Sequence, residues 1–250
     1  MTMRTAMLAA ALCLAACASP EGREPAAATP AGSSDAPAAP ATDSVPARGP
    51  MPQATAGAAA RTLAGRQREL ASPDNGTLVL LYYDLAGIAP PMDEWVERDT
   101  RVQFARPADK PARRAEVRAE LQAIAQAVRD VGLLRLSTNA NLSDYDPTYG
   151  EFTVRALAPS SVFEFEAFGQ KASVRFGNGR DAQLWRVEAE EARAIRDRIG
   201  YGSVTLDALL VITGVQPAVQ GGIIVTDVIE YEMRDSLRGQ LVGRVQLSPR

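Results

Sequence analysis

Residues 111–130 read PARRAEVRAELQAIAQAVRD. Val117, Leu121, Ile124, Ala125 and Val128 recur at helical spacing on one face, while Arg113, Arg114, Glu116, Arg118 and Glu120 crowd the charged start. Pro111 suits a first helical turn, and Gly132 supplies an expected stop. A helix with one apolar stripe must bury it against another element. The receiving surface is expected downstream, because beyond Leu133 the apolar period drops to two. Phe152, Val154 and Ala156 alternate with Glu151, Thr153 and Arg155, and Phe163, Phe165 and Ala167 alternate with Glu164 and Glu166, as in half-solvated strands. Val174 and Phe176 lead into Asn178–Gly179, the favoured pair for a hairpin turn, after which 184–187 resumes an extended pattern. Residues 188–199 read as a helix with Ala192, Ile195 and Ile199 inward and Gly200 as its stop. Long strands are expected over 203–215 and 223–234, joined through Pro217, Gly221 and Gly222, with a last strand at 241–247. The fold class is α+β: short N-terminal helices and one amphipathic helix packed on a largely antiparallel sheet.

Upstream, Leu78 to Tyr83 is apolar enough for a buried strand. Leu78, Leu81, Tyr82 and Leu85 also follow the i, i+3, i+4, i+7 spacing, with capping groups at 74–77 and a stop at Gly87, so a short helix is preferred. Pro90 and Pro91 break the chain before a second short helix over 92–98, with Trp95 inward. The single α+β domain is assigned to 71–250, after a charged transition at 61–70.

From Ala18 to Ala60 the chain is mostly Ala, Pro, Gly, Ser and Thr. That composition lacks the apolar surface needed to offset ordering entropy, and its prolines block helix propagation. Residues 17–70 are therefore read as a disordered tether; a proline-rich ligand for a partner is the alternative. As a coil, the 43 residues from Ala18 to Ala60 reach about 35–40 Å.

Residues 1–16 carry Arg4, an apolar run from Ala6 to Leu12, and then small residues. The run is too short to span a bilayer, which needs about 20 apolar residues, and its order matches a secretory signal. Leu14, Ala15, Ala16 and Cys17 resemble the lipobox of bacterial lipoproteins. The resemblance implies removal of 1–16, a diacylglyceryl group on Cys17, and an anchor that holds the mature chain on a membrane without crossing it. Ala18, where an aspartate would signal inner-membrane retention in many enteric-type bacteria, favours the outer membrane. An ordinary secretory leader, with Cys17 incidental, is the alternative.

The composition excludes much familiar chemistry. Histidine is absent and the only cysteines are Cys13 and Cys17, so imidazole bases, domain thiols and Cys/His zinc sites are ruled out. A net charge of −3 leaves no excess cation to track a phosphate backbone, and no nucleic-acid partner is expected. No Walker loop and no Gly-x-Ser-x-Gly occurs. Arginine outnumbers lysine 25 to 2, which suits bidentate recognition of carboxylates or phosphates, although genome base composition explains it as well.

Three constellations remain. Glu164 and Glu166, two apart on a strand, project from one face about 7 Å apart, a separation compatible with an inverting glycosidase; a solvated strand face gives the same pattern. Asn139, Asn141, Asp144, Asp146 and Glu151 offer oxygen ligands, with Asp144, Asp146 and Glu151 as the alternative calcium set. The usual loop spacing fails, because its glycine would fall on Tyr149 and its last ligand on Arg155. Gly177, Gly179 and Ala182 imitate a dinucleotide fingerprint, but an extended stretch follows where a helix is needed.

Leu81 to Tyr83 before Gly87, Tyr145 and Asp146 before Phe152, Phe176 with Asn178, and Glu191 with Ala192 resemble uncharacterised bacterial envelope domains, which implies no activity. The expected function is that of a lipid-anchored periplasmic lipoprotein on the outer membrane: a non-catalytic binding or assembly module for an envelope protein or glycan, with no cofactor. The alternative is an envelope glycan hydrolase using the paired carboxylates.

Overall fold

The computed structural model describes residues 63–200, 202–218 and 221–248. The leader at 1–16, Cys17 and most of the tether lie outside the described residues. Helix α1 (Asn75–Ala86) forms where capping and periodicity place it: the Asp74 carboxylate accepts from Thr77 N at 2.7 Å, and Gly87 closes the end at φ 66°. Leu78, Val79, Leu80, Leu81, Tyr82 and Leu85 are all buried, and a helix apolar on all sides belongs inside a fold. Helix α2 (Met92–Arg98) buries Trp95, whose ring stacks on Phe168 at 4.6 Å between centroids and meets Tyr83 edge-on. A single turn, α3 (Thr100–Gln103), leads to α4 (Lys110–Ala127), which buries Val117 and Leu121. Ion pairs tie α4 to its neighbours: Arg114 to Glu97, Arg118 to Asp93 and Glu120 to Arg101.

Seven strands form one mixed sheet. In chain order they are β1 (Arg68–Ala71), β2 (Val131–Ala140), β4 (Val162–Ala167), β5 (Gln170–Phe176), β7 (Val204–Ala218), β8 (Gly221–Asp235) and β9 (Leu241–Gln246). A separate pair joins β3 (Glu151–Thr153) to β6 (Leu184–Arg186). The main sheet runs β1-β2-β7-β8-β5-β4, with β9 also on β8. Its pairings are parallel at β1–β2 and β5–β8 and antiparallel elsewhere. Helix α1 lies against β4, β5, β7 and β8, with α4 outside it. Its approach to β8 requires Gly222, where a Cβ would overlap the Tyr82 ring. Helix α6 (Ala189–Ile199) buries Ala192 and Ile195 and stops at Gly200, as its sequence predicts.

Strand β8 organises the sheet. Its inward residues are Ile224, Thr226 and Val228, then Tyr231 and Met233; the register skips Ile229, and this bulge reverses which parity faces the core. Along one edge β8 pairs with β7 throughout. Along the other, β5 covers it as far as Thr226 and β9 takes over from Glu230. The main chain of Val228 falls in the gap between them. There the buried Asn178 side chain fills the ladder, donating to Val228 O at 2.8 Å and accepting from Val228 N at 2.9 Å.

Several expectations are corrected. Asn178–Gly179 is not a hairpin turn but the entry to a four-residue turn, α5 (Gly179–Ala182), because the amide is used as a strand mimic on β8. Gly132 does not stop α4. The helix ends at Ala127, Asp130 takes the left-handed position at φ 61°, and Gly132 sits in β2 where a Cβ would overlap the Arg66 carbonyl. The alternation through Ala156 ends early: β3 stops at Thr153, a 3₁₀ turn occupies Arg155–Leu157, and β3 pairs with β6 outside the main sheet. Pro217, Gly221 and Gly222 are strand residues rather than a connection. Order also begins before residue 71, since β1 pairs with β2 and Arg66 bonds Asp84 at 2.7 Å.

Candidate functional site

Glu164 and Glu166 both lie on the exposed side of β4, one of the edge strands of the sheet. Glu164 pairs with Lys171 on the neighbouring strand at 2.5 Å and keeps 54% of its side chain exposed. It borders a hollow of ≈ 290 Å³ with Ser72, Pro73, Leu136, Ser137, Phe163 and Phe165. Glu166 is absent from that lining; its carbonyl accepts from the Asn75 side chain, which pins the start of α1 to this edge.

The carboxylates of the 144–151 loop go to three separate partners. Asp146 Oδ1 accepts from Thr148 N at 2.8 Å and Tyr149 N at 3.3 Å, an Asx turn that shapes the loop. Glu151 turns to Arg186, on the strand that pairs with its own. Asp144 is 90% exposed, 3.8 Å from Arg196. Arg196 also donates to Ser143 O and lies over the Phe152 ring, so it fastens this loop to α6. Among the described residues no group of three His, Cys, Asp or Glu is placed to hold a metal ion. The glycines at 177 and 179 serve packing: a Cβ on Gly177 would crowd Asp227, and one on Gly179 would crowd Leu157 O and Pro159.

A surface missed by the sequence reading lies between β6 and β9. The groove there, ≈ 500 Å³, is lined by Asp181, Leu184, Trp185, Arg186 and residues 244–247. Both walls are strand edges. Val154 N donates to Gln183 O and Val187 N to Gly150 O, so the odd residues of β6 bond to β3. Because antiparallel ladders alternate, Leu184 and Arg186 direct their main-chain amides and carbonyls away from β3. On the other wall Leu247 N donates to Ile229 O, which by the same alternation turns the main chain of Arg244 and Gln246 away from β8. Trp185 forms the floor, its indole packed so closely on Gly243 that a Cβ there would overlap the ring.

Next to this groove, the water-facing side of the sheet carries a second hollow, ≈ 430 Å³, between Arg135, Ser137, Thr205, Asp207, Glu230, Glu232, Arg234 and Arg244. Its charges are matched across strands. Arg135 bonds Glu69 at 2.7 Å and Asp207 at 3.1 Å, and these hydrogen bonds, Glu69 first, raise its guanidinium pKa further. The hydrogen bond from Arg244, aided by Arg234, holds the Glu232 carboxyl below its ordinary range. Arg244 borders both hollows and links them. Strand periodicity places both β6 and β9; what it lacks is the identity of their partners, which decides that each has an open edge. Comparison with protein-family models, curated proteins and solved structures returns no match to this chain.

Proposed function

We propose that this chain is a bacterial envelope lipoprotein, held through Cys17 on the outer membrane and facing the periplasm, whose α+β domain is a non-catalytic binding or assembly module. The groove between β6 and β9 carries this reading. It offers open main-chain donors and acceptors on two walls, an aromatic floor and arginines at the rim, which is the chemistry of a site that takes an extended polypeptide as an added strand. Strand addition derives affinity from the main chain and selectivity from side-chain pockets. Here Leu184, Val245 and Leu247 supply apolar contact, while Asp181, Arg186 and Arg244 place charges of both signs at the rim. Tethering confines the groove near its target and raises the effective concentration. No helix among the described residues is long and apolar enough to cross a membrane; the lipobox is what supports anchoring.

The test is a photo-crosslinking residue placed at Gln246 in intact cells. A discrete envelope protein is expected, lost when Arg186→Glu and Arg244→Glu are combined and retained when Glu164→Gln and Glu166→Gln are combined. Absence of a reproducible product, or loss in the second pair instead, overturns the groove as the binding site.

A further inference from the structure

The main sheet curls until its ends meet. Strands β2 and β4 stand at opposite ends of the path β2-β7-β8-β5-β4, yet Leu136 and Ser137 of the first and Phe163, Glu164 and Phe165 of the second line one hollow of ≈ 290 Å³. They do not pair with each other. On the outer edge of β2, β1 extends only to Arg135, whose carbonyl accepts from Ser72 N. Ser72 then takes φ 46° and Pro73 has no N–H to offer, so the ladder stops there. Main-chain parity opens both walls. Because Arg135 bonds towards β1, alternation along the β2–β7 ladder turns the N–H and C=O of Ser137 and Asn139 away from β7. On β4, Ala167 and Gln170 close a two-residue turn in which Phe168 and Gly169 have φ 58° and 70°, so the odd residues bond β5 and the even ones face outward. In agreement, Glu166 O accepts from the Asn75 side chain at 3.1 Å, which leaves the main chains of Val162 and Glu164 open. Phe163 and Phe165 pack on the core but stay half-buried, since no strand lies beyond them.

We infer that this seam accepts an extended polypeptide in which apolar residues alternate with basic ones, entering as a further strand between β2 and β4 and closing the sheet into a barrel. Donors and acceptors at a two-residue repeat on both walls are met together only by another main chain. The inward residues of that strand would cover Phe163 and Phe165 and must be apolar. Its outward residues take their cross-strand neighbours from the two walls, and these set the charge. On β2 the neighbours are Ser137 and Asn139, which are neutral, and Arg135, which is already shared by Glu69 and Asp207. On β4 they are Glu164 and Glu166, with one ammonium between them: Lys171 bonds Glu164 at 2.5 Å, and Arg175 stands further along, opposite Val162. Glu164 is the one charged residue lining the hollow itself. Basic side chains complement this edge and acidic ones do not. The chain directions add a constraint. Through the intervening pairings β2 and β4 run oppositely, so the added strand is antiparallel to one wall and parallel to the other. The site is separate from the groove between β6 and β9 and goes beyond the function proposed for it.

The experiment is amide hydrogen exchange read by NMR on the chain from residue 17 with Cys17→Ser, which keeps every described residue. Without peptide, the Ser137 and Glu164 amides should exchange at least about tenfold faster than those of Leu136 and Phe165. A capped hexapeptide alternating lysine with valine is then added. It should slow exchange at Ser137 and Glu164 and leave Gln246 unchanged, whereas a hexapeptide alternating glutamate with valine should not. Glu164→Lys combined with Glu166→Lys should weaken the lysine peptide about tenfold and turn the preference to the glutamate peptide. The lysine peptide N-methylated on its valines keeps its charge, loses the donors of one edge, and should bind at least about tenfold more weakly. Slow exchange at Ser137 and Glu164 in the free chain, equal response to both peptides, indifference to N-methylation, or no response at millimolar peptide overturns the inference. Protection of Gln246 in place of Ser137 also overturns it and supports the groove between β6 and β9, so the two sites fail separately.

Discussion

Asn178→Ala tests the central feature of the sheet. The side chain makes two hydrogen bonds to Val228 in a fully enclosed gap of β8, where neither β5 nor β9 can supply a partner. Truncation leaves one buried N–H and one buried C=O unpaired, each costing about 1–3 kcal/mol, so a loss of about 3 kcal/mol is expected. Against a total stability of about 5–15 kcal/mol this is a large fraction, and for a domain of this size it lowers Tm by about 6–12 °C. Urea unfolding at pH 7 gives the difference directly, with the slope m unchanged if the variant keeps its fold. Asn178→Asp adds a sign that packing loss cannot imitate. The introduced carboxyl faces both Val228 N and Val228 O; ionised, it accepts but cannot donate, and it is buried as a charge. Its folded pKa is therefore raised above the unfolded value near 3.9, so its stabilising neutral form is present below that value and is lost as pH rises through the folded one. The variant should be closest to the parent near pH 4 and fall behind towards pH 7. A loss under about 1 kcal/mol for Asn178→Ala, or a pH-independent deficit for Asn178→Asp, refutes the reasoning.

Gly243→Ala forces a methyl into the Trp185 indole and should cost about 1–3 kcal/mol, with a red shift of tryptophan emission as the groove floor is displaced. Tyr231→Phe should raise stability by about 1 kcal/mol or more in thermal unfolding. The Tyr231 hydroxyl is buried without a hydrogen-bond partner among the described residues, and burial alone pushes its pKa up. The Glu232 carboxyl is depressed below 4.5 by Arg244 and Arg234, so its contribution is present above that pH and disappears as pH falls through the lower folded value. Glu232→Gln should accordingly flatten the acid limb of a stability–pH curve, more at low salt than at high.

Local signals carried the helices. The Asp74 cap, the Gly87 stop and the stripe through Val117 and Leu121 are short-range patterns, and each is visible within a few turns of chain. What failed was any feature whose meaning depends on a distant strand. Asn178–Gly179 has the composition of a hairpin, yet Val228, fifty residues away, claims the asparagine amide. Gly132 looks like a helix stop because glycine often is one; its actual role, letting the Arg66 backbone pass, belongs to a contact 66 residues upstream. Residues 68–71 carry too little apolar pattern to be read as a strand, and they form one because β2 offers an open edge.

The same limit explains the candidate sites. The sequence reading sought chemistry in side chains, and so selected Glu164, Glu166 and the 144–151 acids, all of which lie on strands or turns rich in polar residues. The groove between β6 and β9 draws its binding capacity from main-chain groups, which every residue possesses and no motif marks. It is exposed there by a parity rule: Leu247 bonding to Ile229 and Val187 bonding to Gly150 fix which alternate residues are left outward. A one-residue change of register on either strand would exchange the residues that turn outward and present a different set of side chains to the groove. The bulge at Ile229 bears on that register directly, because without it the inward side of β8 beyond Val228 would carry Glu230 and Glu232 in place of Tyr231 and Met233. The register of β9 against β8 and the burial of Tyr231 thus depend on the same inserted residue, and a single-residue deletion there should alter the groove lining and damage the core together.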